Sequence, residues 1–418
     1  MRVVVHDYVG YAFPAQLARA LARRGHDVLF LHCGSFVAGK GLVEPAEDDP
    51  ATLAFDSVEL AGSFAKYDVR RRIAHERETG GELARRIADF RPDAVLSSNA
   101  PLIVQRALLR ATHERGGRFV FWQQDVISAA ARRVLGHRSR LAGAAGEKAV
   151  AMLERRLLRA SDAVVVISED FVPLLRRWGV DDERIDVIEN WAPLDELPVL
   201  SCDNPWAREQ GLVDRFVFLY SGTLGFKHDP SLLLELARWA AGHDSVVVVV
   251  SEGPGSDWLA REGADEPGLL LLPYQPYERL PEVLASADVL LALLEPDAGS
   301  FSVPSKVLTY LCAARPLLVS VSGDNLAARV VVRSGGGLVV PPKDPEALLA
   351  AAAALHADAS RRAELGRSAR AYAERTFDLE RIADRFEQVL AALVAAEAGR
   401  REQEDRGAGE HDQQGGRA

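Results

Sequence analysis

Two loops in the second half of the chain carry the residue types that hold a charged phosphate. Tyr220-Ser221-Gly222-Thr223-Leu224-Gly225-Phe226-Lys227-His228-Asp229-Pro230 follows an aliphatic run. Gly222 and Gly225 let the backbone approach a ligand, Lys227 supplies a cation, and Asp229-Pro230 open a helix. Backbone N–H groups and the helix dipole then both favour an anion. The same residues equally make an ordinary strand-to-helix turn with a solvated lysine, and the Gly-Lys-Ser/Thr order of a Walker A loop is missing. The second loop is Ser300-Phe301-Ser302-Val303-Pro304-Ser305-Lys306-Val307-Leu308-Thr309-Tyr310. Pro304 marks a helix start and places Ser305 and Lys306 in the first turn, with Thr309 one turn after Ser305. A lysine there opposes the dipole; a bound phosphate would offset that, and tolerance at an exposed site is the alternative. Ser251-Glu252-Gly253-Pro254-Gly255 and Pro273-Tyr274-Gln275-Pro276 follow two further apolar runs. Each alone is a plain turn, but four loops at one end of a sheet outline a nucleotide-sized pocket.

The first half offers a different surface. Gly10-Tyr11, Ser98-Asn99 and Gln124-Asp125 each follow an apolar run and share one sheet edge. Asp125 reads as a site carboxylate or as a helix N-cap, and His6 reads as a strand-end histidine satisfied inside the fold. Between Ala129 and Ala160, Arg132, Arg133, Arg138, Arg140, Lys148, Arg155, Arg156 and Arg159 face only Glu147 and Glu154, a local charge of +6. With apolar residues interleaved, this stretch suits an anionic membrane surface, or else a solvated helix on its own domain.

The elements that must position these loops alternate. Val3–Val5, Asp27–His32, Ala94–Ser97, Phe119–Trp122 and Ala163–Ile167 read as strands, separated by loops or helices. A helix opening at Pro14 and ending at Gly25 follows the first of them. Pro193, Pro198 and Pro205 then mark a linker over 190–205. A second series follows at Phe216–Tyr220, Val246–Val250, Leu269–Leu272, Val289–Leu294, Leu317–Val321 and Gly337–Val340. Short, nearly pure aliphatic runs are the mark of central parallel strands. The expectation is an α/β chain of two doubly wound halves with ligands beyond the strands' carboxyl ends. Phe377–Ala398 has helical apolar spacing, whereas 399–418 has nothing to bury and is expected to be disordered.

Composition bounds the rest. The 418 residues exceed a single core, and 48% hydrophobic with 26% charged is globular. A net charge of -10 argues against a dedicated nucleic-acid binder. Cys33, Cys202 and Cys312 lie far apart, which fits neither a disulfide scaffold nor a structural zinc site. No apolar run reaches a membrane span, and Met1–Asp7 turns polar too early for a secretory signal, so a cytoplasmic protein is expected.

Together these residues resemble the retaining GT-B glycosyltransferases of family four, especially the bacterial branch that builds capsule, O-antigen and colanic-acid-type polysaccharide. The motifs are His6–Gln16 with Leu17–Val28, Val166-Ile167-Ser168-Glu169, Val187-Ile188-Glu189-Asn190-Trp191, Ser221–Lys227, Glu252-Gly253-Pro254, Leu280–Asp288 and Pro304-Ser305-Lys306. The resemblance covers nearly all of the chain before the tail. It implies two Rossmann-like domains facing each other across a cleft, an acceptor-binding one over 1–198 completed by helix 377–398 and a donor-binding one over 199–376. It implies a retaining hexosyltransferase-type activity on a UDP or GDP sugar, with a saccharide or lipid-linked acceptor. No cofactor or metal is required, because basic residues and a helix N-terminus neutralise the departing diphosphate. Gly222, Thr223, Lys227, Glu252, Tyr274, Gln275, Val303, Pro304, Ser305, Lys306 and Thr309 would bind the donor. Asp125, Lys227 and Lys306 would act in catalysis, and Gly10, Tyr11, Asn99 and Gln124 would meet the acceptor. Peripheral attachment through 129–160 would place the protein at the inner face of the plasma membrane.

The chain departs from the wider family at three points. Two glutamates eight positions apart are replaced by Phe301 and Thr309, an arginine after the first glycine is Thr223, and a cleft histidine is Gln124. A non-catalytic relative that keeps the fold as a scaffold therefore stays open, although such a protein has no need of Lys227, Ser305 and Lys306 at one edge. A sugar epimerase lacks placeable carboxylates and a histidine, and a nicotinamide oxidoreductase lacks GxGxxG after the first strand.

Overall fold

Runs such as Val3–Val5 and Val246–Val250 are buried on both faces, the environment that uninterrupted β-branched sequence fits. The computed structural model describes residues 1–35, 41–60, 69–129, 140–225, 228–295 and 306–415. The chain divides into two compact units. One comprises Met1–Val37, Val43–Glu189 and Leu379–Ala418, and the other Ala38–Leu42 and Asn190–Asp378.

The first unit holds β1 (Arg2–Asp7), β2 (Asp27–Cys33), β3 (Leu53–Val58), β4 (Ala94–Ser98), β5 (Arg118–Gln123), β6 (Ala163–Val166) and β7 (Ile185–Val187). All pair in parallel, in the order β3-β2-β1-β4-β5-β6-β7. The order reverses between β1 and β4, where Asp7 pairs with Ser98, and a crevice beyond the strand ends is expected there. The edge strands β3 and β7 were absent from the sequence reading. Their residues are mostly half-exposed, so neither forms the aliphatic run that a central strand requires. The helix expected at Pro14 spans Ala12–Arg23; a proline in the first turn costs no hydrogen bond, so it does not set the start. The thiols of Cys33, Cys202 and Cys312 are all free.

The chain returns to this unit at its end. Helix Leu379–Gly415 buries Ile382, Ala383, Phe386 and Leu390. The Phe386 ring meets Trp122 at 4.7 Å, and Trp122 meets Phe13 at 5.4 Å. Arg24 bonds Asp384 at 2.6 Å, Glu380 at 2.7 Å and Glu387 at 2.9 Å, while His26 holds Glu387 at 2.7 Å. Beyond 398, where a disordered tail was expected, the helix continues to Gly415. Arg, Glu, Gln and Ala have enough intrinsic helix preference to extend an anchored helix.

The second unit holds β8 (Phe216–Ser221), β9 (Ser245–Val250), β10 (Leu269–Leu272), β11 (Val289–Leu293), β12 (Leu317–Ser320) and β13 (Gly337–Val340). Their parallel order, β10-β9-β8-β11-β12-β13, repeats the first unit's winding and reverses between β8 and β11. The proline-rich linker leads into helix Pro205–Glu209, which Asn204 caps by accepting from Ala207 N–H at 3.0 Å. The Asn204 amide also donates to Ser286 Oγ at 3.0 Å, and Trp206 is fully buried, so the linker's exit is fixed to this unit.

Candidate active site

In the second unit the site forms where the strand order reverses. Ser221 ends β8, and its N–H donates to the Tyr310 hydroxyl at 2.9 Å. That hydroxyl donates back to Ser221 O, also at 2.9 Å. Tyr310 lies one turn after Lys306 on helix Lys306–Cys312, so this double bond holds the helix start against the strand end. The Lys306 ammonium is buried 3.5 Å from the centroid of the Tyr220 ring, a cation–π contact in a desolvated setting. Burial raises both phenol pKa values, Tyr220's well above the ordinary range, so both hydroxyls stay protonated and remain donors.

Gly222 has φ +127, and a Cβ there would stand 3.1 Å from Lys306 Cε and Nζ. The absence of a side chain at Gly222 therefore admits the lysine. The β9 loop is zipped to this one: Gly222 N–H donates to Val250 O at 3.0 Å, Leu224 N–H to Glu252 O at 3.1 Å, and Gly255 N–H to Leu224 O at 2.9 Å. A Cβ at Gly253 or Gly255 would press on Leu224 O at 2.9 Å, so two main chains meet with no room for side chains. Glu252 takes part through its carbonyl while its side chain is exposed.

Thr223 and Tyr274 join through their hydroxyls, and the Tyr220 hydroxyl donates to Thr223 O at 2.9 Å. Gln275 is a brace: its Oε1 accepts from Trp206 Nε1 at 3.0 Å and its amide donates to Pro273 O at 3.0 Å. Thr309 is half-buried on the Lys306 helix. Lys227, Phe301, Val303, Pro304 and Ser305 lie outside the described residues. Of the expected donor set, the structure thus brings Gly222, Thr223, Glu252, Tyr274 and Lys306 into one loop cluster. Tyr220 and Tyr310 belong to it as well. Neither takes a role from the sequence alone, although the spacing of four between Lys306 and Tyr310 holds the signal.

In the first unit, Gly10, Tyr11 and Asn99 converge on a residue the sequence reading did not single out, Asp7. Its wholly buried carboxylate accepts from Gly10 N–H at 2.7 Å, Tyr11 N–H at 3.0 Å, Ser98 Oγ at 2.7 Å and Asn99 Nδ2 at 2.5 Å. Burial raises the Asp7 pKa, and the four hydrogen bonds pull against that shift. Beside it, His6 Nδ1 contacts Ser97 Oγ at 2.8 Å, while Nε2 finds no hydrogen bond, so the histidine is only half satisfied. Burial, with His32 adding to it, pushes the His6 imidazole down to about 3, which keeps it neutral.

Gln124 is half-buried and Asp125 exposed just beyond β5. The N–H groups of Ile127 and Ser128 are taken by Glu154, at 2.8 and 3.0 Å, so a buried glutamate from another helix caps this segment. That turns one of the two acids of the basic stretch inward. On helix Arg140–Ala160, Lys148, Met152, Arg155, Arg156 and Arg159 are exposed, while 130–139 lie outside the described residues. Among the described residues no helix is long and apolar enough to cross a membrane, and no three His, Cys, Asp or Glu side chains cluster as metal ligands.

Residues 12–191 match the glycosyl transferase 4-like domain, and residues 215–358 match the glycosyl transferases group 1 domain. The Escherichia coli K12 protein WcaI, named as a glycosyl transferase of colanic acid biosynthesis, is 26% identical over 308 residues, covering 71% of this chain and 73% of WcaI. Sucrose-phosphate synthase from Thermosynechococcus elongatus superposes with a TM-score of 0.69 at 18% identity, over 95% of this chain and 100% of that one. Anabaena HepE, solved with UDP-glucose, gives 0.68 at 14% identity, over 94% and 100%. At these identities the two structures establish the fold alone.

Proposed function

We propose, from the premise that this chain belongs to the family-four GT-B glycosyltransferases, that it moves a sugar from a UDP or GDP sugar to a saccharide or lipid-linked acceptor. The transfer retains anomeric configuration and serves cell-surface polysaccharide or glycoconjugate synthesis, the role that the name of WcaI carries. One observation carries the reading: a buried lysine ammonium packed between the Tyr220 ring and Gly222 where the second unit's strand order reverses. As the glycosidic bond breaks, negative charge grows on the departing diphosphate. A cation already desolvated and fixed in place stabilises that charge without reorganising. Lys227 and Ser305 add to the same work, and no metal or cofactor is needed. The edge holding Gly10, Tyr11, Asn99 and Gln124 receives the acceptor, with Asp125 as the exposed carboxylate beside it.

Thermal-shift measurements with UDP- and GDP-sugars test the donor assignment. Saturating the protein at about 100 times Kd stabilises it by about 2.7 kcal/mol, enough to raise the midpoint by roughly 3 °C when the whole chain unfolds together. No rise with any nucleotide sugar would sink the reading. The anomeric configuration of the product, read by proton coupling, tests retention.

The exposed Lys148, Arg155, Arg156 and Arg159 with Met152 support peripheral attachment to the inner face of the plasma membrane. Basic residues near an anionic surface contribute about 1 kcal/mol each, screened within a Debye length. The protein is expected to co-sediment with phosphatidylglycerol vesicles at low salt and to dissociate at high salt. Failure to bind at low salt removes the membrane from the account.

A further inference from the structure

The geometry points to Asp7 as the residue that positions the acceptor-side loops, tying the segment after β1 to the segment after β4 while staying out of the chemistry. The assignment rests on the functional reading above, since it needs this edge to receive the acceptor.

The carboxylate sits where the first unit's strand order reverses, the position at which such sheets take ligands. One oxygen holds the N–H groups of Gly10 and Tyr11, and the other holds Ser98 Oγ and Asn99 Nδ2. Two carboxylate oxygens offer about four acceptor sites, and all four are taken. No lone pair is left to receive a proton from an incoming hydroxyl, so Asp7 organises and does not act as a base.

An ordinary capping aspartate would bond only its local N–H groups. Asp7 adds two donors that lie 91 and 92 residues away in sequence, from the neighbouring strand's loop. Both loops bend through the left-handed region at the clamp, Gly10 at φ +83 and Asn99 at φ +51. Asparagine is one of the few non-glycine residues that adopt that conformation readily, and the Asn99 amide bond to Asp7 holds it there. Tyr11, the N-cap residue of helix Ala12–Arg23, is stacked on Phe13 at 6.2 Å, so the clamp also sets where that ring stands. Gly10, Tyr11 and Asn99 are three of the four acceptor residues expected from sequence, and a single carboxylate holds them.

The test uses Asp7→Asn and, because the first variant removes a buried charge, the milder Ser98→Ala. Octyl glucoside and octyl galactoside serve as acceptor probes, with UDP-glucose and GDP-mannose as donors. Asp7→Asn is expected to raise acceptor KM at least tenfold with donor KM within twofold, and Ser98→Ala to raise acceptor KM about threefold at an unchanged melting midpoint. Amide hydrogen exchange at Gly10 and Tyr11 should quicken in both variants while the β5 amides stay protected. Acceptor and donor KM moving together, or exchange rising only in step with the whole unit, reduces Asp7 to a stability residue and overturns the proposal. A wild-type protein that transfers to neither probe and binds no nucleotide sugar instead overturns the functional reading. The clamp is then decided by exchange alone: no faster exchange at Tyr11 in Ser98→Ala refutes it.

Discussion

Replacing Lys306 with alanine is expected to lower kcat by about 10²- to 10³-fold, the usual cost of removing one preorganised charge-stabilising group. The lysine's geometry is what makes the effect large. Its ammonium is buried over the Tyr220 ring, and the helix that carries it is tied to the end of β8 through Tyr310 and Ser221. A flexible surface lysine would lose much of its effect to water; a buried one keeps it. Lys306→Arg should rescue poorly, because a planar guanidinium does not reproduce the compact ammonium that stands 3.5 Å from the centroid of the Tyr220 ring beside Gly222. Initial rates with saturating donor, read beside the melting midpoint, decide the matter. Activity within threefold of wild type at an unchanged midpoint would remove Lys306 from the mechanism.

Gly222→Ala should be nearly as damaging, through the backbone and through the lysine at once. At φ +127 a side chain strains the backbone by about 1–3 kcal/mol, and the new methyl must also displace Lys306 Cε and Nζ. Donor KM is expected to rise at least tenfold, or kcat to fall alongside that of Lys306→Ala. Gly225→Ala is the control three residues on. Among the described residues its Cβ meets only Thr223 Cγ2, at 3.9 Å, so donor KM should stay within twofold. Equal effects of the two substitutions would mean that the loop matters as a whole and that the close approach at Gly222 does not.

The sequence was most readable where one force dominates. Val3–Val5 and Val246–Val250 read as central strands and are, and two such series separated by a proline-rich stretch implied two doubly wound units; Leu269–Leu272 was equally legible as a strand but lies at the edge of its sheet. The edge strands Leu53–Val58 and Ile185–Val187 escaped because half-exposed strands dilute the apolar signal. Within the site, the close approach at Gly222 and the place of Lys306 on its helix were legible, because glycine and a lone lysine stand out in a loop motif. Asp7, Tyr220 and Tyr310 were not, because their roles come from partners distant in the chain: Asn99 for Asp7, and Ser221 for Tyr310. Gln275, which the resemblance implied as a donor contact, has its side-chain amide bonded to Trp206 and Pro273, partners that no local pattern announces.

The path of the chain sets a timetable for biosynthesis. The second unit lies almost wholly within one stretch, Asn190–Asp378, whereas the first is not complete until Leu379 and the residues after it have been made. At ordinary translation speeds, roughly 10–40 s separate the end of the first unit's main stretch from the arrival of its last helix. Through that interval Trp122 lacks the Phe386 ring, and Arg24 lacks all three of its acidic partners. The nascent chain therefore carries an aromatic patch and an unpaired cation past the ribosome exit for as long as its later half is being made.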